Sequence, residues 1–429
     1  MKTLIIKISL IKRDHINYKN DIIFAENCFC CLGEEEKMKH DFNLMLERRY
    51  NGSMKWEASY INQRFQTHFT DEDKLYPLFI ADMDFTMDQG IKDKLMEFVG
   101  AGDFGYFHVQ DSFYTSIIKW HEDIHHTHIQ KEWITPSIGT ITSLHLLSDL
   151  FSKDKNILIL TPVYGPFYSC AQLGKAHTMP LTYCNHEYVI DFEKLEKTFQ
   201  KKHIHTLLFC NPHNPGGKAW SYDELNQLVG LCKKYNVMIL SDEIHSDILI
   251  SSKPFVSLVC FFDQYDRIFV STSPNKTFNI SGLSTSYTIC SNEDLNQQFN
   301  NYLSSLHIGA QRLGIYMIET VYNEGKKWYQ GLLEYLRRNI EMTIFLLETT
   351  DMEVMKPDAG YLIWIHLPKV KNIDQFIMDL ANQTHVLLET GSRFIENNEG
   401  WLRINTATNH DLLKEAIEKL MEFYNHYEM

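Results

Sequence analysis

Three polar residues follow three successive apolar runs within a few positions, and their types suggest chemistry. Asn214 lies in Asn211-Pro212-His213-Asn214-Pro215-Gly216-Gly217, Asp242 in Ser241-Asp242-Glu243-Ile244-His245, and Lys276 in Ser273-Pro274-Asn275-Lys276-Thr277-Phe278-Asn279. A carboxylate buried at a strand end is costly unless it meets a cation or a donor. A lysine beside the same crevice is a candidate Schiff-base amine, because desolvation favours its neutral, nucleophilic form. Singly each residue is bland: Asn-Pro is usually a turn, a strand-end Asp is often a cap, and a lone lysine is usually on the surface. In this order at successive strand ends they match the needs of pyridoxal phosphate: donors for the ring hydroxyl, a partner for the ring nitrogen and an amine for the aldehyde.

The elements that must position them alternate between strand-length apolar runs and helical patterns from about residue 88 to 320. Asn156–Leu160 ends in Thr161-Pro162, Thr206–Cys210 in Asn211-Pro212, Val237–Leu240 in Ser241-Asp242-Glu243, and Ile268–Val270 in Ser271-Thr272-Ser273. Short continuous apolar runs separated by helices predict a buried, mainly parallel sheet. Ligands of such sheets bind at the carboxyl ends of the strands. Between the second and third runs, Ser221 with Glu224 forms a capping box, and Leu225, Leu228, Val229 and Cys232 mark one helix face. After about residue 320 a helix over Lys326–Leu347, strands at 360–365 and 401–405, and a helix over 411–424 predict a smaller α+β domain. The expected division is 38–87 joining the small domain, 88–320 as the large cofactor-binding domain and 321–429 as the C-terminal small domain.

Other chemistries fit less well. His121-Glu122-Asp123-Ile124-His125 satisfies H-E-x-x-H, but the run continues to His126 and His128 with no further ligand pattern, in a chain with 20 histidines. It is read as a solvated helix end, with no metal expected. Phosphate-loop, dinucleotide and nucleophile-elbow motifs are absent. The 429 residues are 44% hydrophobic and 22% charged, with net charge −14, which argues against nucleic-acid binding. No apolar run approaches membrane-spanning length. Nine cysteines, six of them scattered singly, suit reduced thiols and a cytoplasmic protein. Residues 1–37, including the Cys28, Cys30 and Cys31 group, read as foreign to the rest of the chain. Gly33-Glu34-Glu35-Glu36-Lys37 before Met38 resembles a translated ribosome-binding site, so the native start is expected at Met38.

From about Met38 to Tyr424 the sequence resembles fold-type I pyridoxal-phosphate enzymes, and within them the MalY/PatB branch of cystathionine β-lyases. The resemblance rests on Gly52-Ser53-Met54-Lys55-Trp56, Ala81-Asp82-Met83-Asp84-Phe85, Phe104-Gly105-Tyr106, the Asn211–Gly217 stretch and Ser241-Asp242-Glu243-Ile244-His245-Ser246-Asp247. His245 stands where general aminotransferases usually carry tyrosine, which favours the lyase branch. The resemblance implies an α/β protein with a large, mainly parallel sheet flanked by helices and a smaller α+β domain. It implies that Lys276 binds the cofactor aldehyde, Asp242 the ring nitrogen and Asn214 the ring hydroxyl, with Tyr164 stacked on the ring and His245 beside it. Gly139, Thr140, Ile141 and Ser273 would hold the phosphate, joined by Tyr106 from a second subunit of a homodimer. Arg403 would hold the substrate α-carboxylate, and Asp84 is a further substrate-binding candidate. The implied reaction is αβ-elimination from sulfur-containing amino acids, giving a thiol, pyruvate and ammonia. The alternative is an aminotransferase using the same lysine. Two departures from the family pattern are Asn275 in place of a small residue and the Gly139-Thr140-Ile141 turn in place of a more apolar one.

Overall fold

The apolar runs pair into one seven-stranded sheet. Its strands are β1 (Ile134–Ser137), β2 (Asn156–Thr161), β3 (Lys175–Pro180), β4 (Thr206–Cys210), β5 (Met238–Asp242), β6 (Ile268–Thr272) and β7 (Ser286–Ile289). The spatial order is β1-β7-β6-β5-β4-β2-β3. Pairing is parallel from β6 through β3, and β7 runs antiparallel to both β6 and β1. The structure, a computed structural model, describes residues 40–396 and 399–427. The readings made for residues 1–37 lie outside these described residues.

Side chains alternate between two buried faces, which explains why the strands read as unbroken apolar runs. Leu158, Leu207, Ile239 and Ile268 enter one core. Their neighbours Ile157, Leu208, Leu240 and Phe269 enter the core on the other face. Each fully buried aliphatic side chain contributes about 1.5–3 kcal/mol. The helix over Tyr222–Tyr235 carries the expected capping box, and its buried residues are Leu225, Leu228, Val229 and Cys232.

A second sheet has four antiparallel strands, β8 (Glu353–Met355), β9 (Leu362–His366), β10 (Glu389–Thr390) and β11 (Trp401–Asn405), in the order β8-β9-β11-β10. A third core gathers residues of 61–79 with residues of 340–424, including Ile61, Phe79, Ile363 and Leu420. The Lys326–Leu347 and His410–His426 helices border this region. Six cysteines among the described residues are free thiols, four of them buried.

The H-E-x-x-H segment departs from its reading as a solvated helix end. It forms one π-helical turn, His121–His125, with both histidines buried. His121 Nε2 lies 3.0 Å from the Tyr287 hydroxyl, and His125 Nε2 lies 2.8 Å from Asp247 Oδ1. Aromatic and carboxylate partners buried on the same side draw the turn inward. Among the described residues, no group of three or more potential ligands could hold a metal ion.

Candidate active site

Adjacent strands bring the three polar residues to one edge of the large sheet. Cys210, Asp242 and Ser271 lie in register on β4, β5 and β6. Asn214 and Lys276 come a few residues beyond the ends of their strands, so both face the crevice above Asp242. Arg403 arrives from β11 of the second sheet. A cavity of about 720 Å³ is lined by Asn214, Asp242, His245, Lys276, Arg403 and Tyr164. The turn Gly139-Thr140-Ile141 lines it as well.

Lys276 Nζ donates to the Ala81 carbonyl at 2.7 Å. Burial pulls this amine down to about 8, with Asp82 opposing the fall and Arg403 adding to it. Asp242 is 5% exposed, and its Oδ1 accepts from the Ile244 N–H at 3.1 Å. Burial pushes this carboxyl up to about 7 despite that bond, because one N–H does not replace the lost water. His245 is held neutral by burial and by Lys276, at about 3, and its Nδ1 has no hydrogen-bond partner. Arg403 is also buried; it donates from Nη1 to Asn214 Oδ1 at 3.1 Å and from Nη2 to the Phe79 carbonyl at 3.3 Å. Its Nε is unpartnered.

At the other wall, the Thr140–Ser152 helix begins at Gly139 with φ +137° and no side-chain cap. Gly139 donates its N–H to Ser286 Oγ at 2.7 Å. The remaining N–H groups of the first turn are the ordinary unmet donors of a helix start, an anion-binding arrangement.

Three expected site residues lie elsewhere. Ser273 is buried beneath the lysine loop: its hydroxyl donates to the Thr285 carbonyl at 2.7 Å and accepts from the Asn275 N–H at 3.1 Å. It braces the loop and does not line the cavity. Asp84 is fully buried against Lys55, whose Nζ lies 2.7 Å away, and against Trp56 Nε1 at 2.7 Å. It joins the Gly52–Trp56 and Ala81–Phe85 stretches to each other, with no face toward the cavity. Tyr106 is fully exposed in a separate surface cleft with Phe98 and Arg312. The cavity also holds residues that the sequence reading missed. Ser281 and Ser284 lie five and eight positions after Lys276, and that run of hydroxyls after the lysine was a usable signal. Arg64, Glu389 and Arg393 come from distant segments, and no local pattern announces them.

The model of the family described as "Aminotransferase class I and II" matches residues 83–420. Cystathionine beta-lyase PatB of Bacillus subtilis is 30% identical over 388 residues, covering 89% of this chain and 98% of that protein. The chain belongs to the class I and II aminotransferase family. A PLP-bound putative aminotransferase from Clostridium difficile superposes with TM-score 0.84 at 31% identity, over 90% of this chain and 100% of that one. A PLP-bound C-S lyase from Staphylococcus hominis gives TM-score 0.82 at 28% identity, over 90% and 98%. The architecture is the fold-type I transferase fold, and the family depends on pyridoxal phosphate.

The residues present fit that cofactor. Asp242 is a buried carboxylate short of a cation, as a partner for a protonated ring nitrogen requires. The uncapped helix start offers donors to a phosphate dianion, and Lys276 is an amine shifted toward its neutral form.

Proposed function

We propose that this chain is a pyridoxal-phosphate-dependent carbon–sulfur β-lyase. It would cleave the Cβ–S bond of amino acids such as cystathionine; with one water consumed, the products are a thiol, pyruvate and ammonia. The observation that carries this reading is the convergence of Lys276, Asp242 and Arg403 on one cavity, in a chain whose relatives include a cystathionine β-lyase.

Lys276 would bind the cofactor aldehyde and Asp242 the ring nitrogen. Asn214 would donate to the ring hydroxyl, while Tyr164 and His245 flank the ring. Gly139, Thr140 and Ile141, with the missed hydroxyls of Ser281 and Ser284, would hold the phosphate. When bound, the cofactor supplies an electron sink for the charge that develops at the substrate Cα. The chain's own residues do the rest. Arg403 grips the α-carboxylate as a two-pronged donor and fixes the Cα–H bond relative to Lys276. Lys276 Nζ takes the Cα proton, a role its lowered pKa suits near neutral pH. Asp242, kept as an anion by the positive ring nitrogen, holds the proton there. Departure of the thiolate from Cβ completes the elimination.

Tyr106 shares a surface cleft with Phe98 and Phe107, and exposed Phe104 lies edge-on to Phe98. This apolar patch supports a homodimer in which Tyr106 reaches the second subunit's phosphate site. The free thiols support a cytoplasmic setting, and no helix among the described residues is long and apolar enough to cross a membrane. The shared core of 61–79 with 340–424 supports a small domain formed by 38–87 and 321–429, beside a large domain of 88–320.

Product analysis tests the reaction. Cystathionine incubated with the cofactor-loaded enzyme should give homocysteine, pyruvate and ammonia in equal amounts. A 2-oxo acid that still carries the sulfur would mean transamination instead.

A further inference from the structure

Four cationic side chains line the cavity, Arg64, Lys276, Arg393 and Arg403, against two carboxylates, Asp242 and Glu389. That surplus of positive charge stands in a chain of net charge −14. Lys276 and Asp242 are committed to the cofactor, and Arg403 to one carboxylate. Arg64, Glu389 and Arg393 are left without a task.

Their geometry gives them one. Glu389 and Arg403 are directly opposed on the antiparallel β10–β11 ladder, so their side chains leave the same face of the sheet as neighbours. Arg64 is locked: its Nη2 lies 2.7 and 2.9 Å from the two Glu389 oxygens, and its guanidinium stacks 4.7 Å from the Phe79 ring. Glu389 is therefore neutralised by Arg64 before Arg393 is counted. Arg393 is different. Its side chain is 59% exposed at the cavity rim, and its Nε stands 3.6 Å from Glu389 Oε1, beyond hydrogen-bond length. Its guanidinium keeps a planar fork of donors free to meet a carboxylate.

We propose that Arg393 receives a second carboxylate at the far end of the substrate, with Arg64 and Glu389 holding the rim in place. This rests on the β-elimination reading and narrows it: preferred substrates are thioether or disulfide amino acids that carry a second carboxylate beyond the sulfur. Arg403 takes the α-carboxylate in the buried part of the cavity and Arg393 the distal one at its mouth. S-alkyl cysteines, which end in an apolar group, leave Arg393 unused.

The test compares L-cystathionine with S-ethyl-L-cysteine in the parent holoenzyme, R393A and R393K. In R393A the ratio of the two kcat/KM values should fall about tenfold, the usual scale for losing a charge-assisted hydrogen bond. The loss should appear mainly as a higher KM for cystathionine, and R393K should recover part of the ratio. An unchanged ratio overturns the proposal. A parallel binding measurement separates it from the elimination reading. L-2-aminopimelate and L-norleucine have no leaving group at Cβ, so their affinity, followed by cofactor absorbance, does not depend on which reaction the enzyme performs. R393A should weaken aminopimelate about tenfold relative to norleucine. A ratio of the two affinities that is the same in R393A as in the parent overturns the proposal, whereas selective weakening in an enzyme that makes no pyruvate would overturn only the elimination reading.

Discussion

Asp242 and Asp247 stand five residues apart on the same segment, both buried, and their surroundings are opposite. Asp247 is well met: its Oδ1 accepts from Trp120 Nε1 at 3.0 Å and lies 2.8 Å from His125 Nε2, and its Oδ2 accepts from Thr277 Oγ1 at 2.6 Å. Those partners overcome burial and hold its carboxyl below the usual range. Asp242 has one backbone N–H and is pushed up to about 7. A carboxylate with its partners in place is scaffold, and one left wanting a cation marks where a ligand belongs. Thr277, the residue after Lys276, donates its hydroxyl to Asp247 and so joins that carboxylate to the lysine loop.

The largest effect should come from the cavity side. Lys276→Ala removes the proton acceptor, so kcat for pyruvate formation should fall by about 10⁴-fold or more; near-normal turnover would refute the assignment. Next, Arg403→Ala should raise KM about a hundredfold, on the scale for truncating one partner of a buried charge pair. Steady-state kinetics with one substrate across both variants checks these two.

On the scaffold side, Asp247→Ala strands the indole N–H, the imidazole and the Thr277 hydroxyl. It should destabilise the protein by about 3–5 kcal/mol in denaturant unfolding. Asp242→Asn should do the reverse in the cofactor-free protein, stabilising it by about 2–4 kcal/mol above pH 7 while impairing catalysis. If both substitutions destabilise equally, the contrast between the two carboxylates is wrong.

The smallest effect is a slope. Because the folded-state pKa of Asp242 is raised to about 7, the native cofactor-free protein binds more protons than the unfolded chain between about pH 4 and 7. This residue therefore removes stability as pH rises through that window, and the loss is complete above pH 7. His245, lowered to about 3, acts oppositely: it costs stability as pH falls below about 6.5. Subtracting the Asp242→Asn profile from the parent profile should isolate the first slope, and a flat difference would contradict it.

How much the sequence revealed depends on the same physics. Central strands, buried on both faces, are legible as apolar runs, and the Ser221 helix shows its cap and its face together. The edge strands are not legible. β1 contains Pro136 and β3 is largely unburied, because each lies at an end of the sheet with less apolar surface to hide. Asn214, Asp242 and Lys276 are readable because each stands at or just past a strand end. Glu389 and Arg64 meet across 325 residues, and no local pattern records such a contact. That Asp84 and Ser273 meet other parts of the chain is not legible for a related reason: a polar residue in a characteristic stretch does not say whether its partner is a ligand or another part of the chain.

The most direct test of elimination is the amount of pyruvate formed per enzyme when cystathionine is supplied with no 2-oxo acid present. Elimination regenerates the enzyme each cycle, so pyruvate should accumulate linearly over many turnovers. Transamination consumes the cofactor's aldehyde once and then waits for an acceptor. No pyruvate, with a single equivalent of a sulfur-bearing 2-oxo acid per enzyme and further turnover only when an acceptor 2-oxo acid is added, would contradict the account.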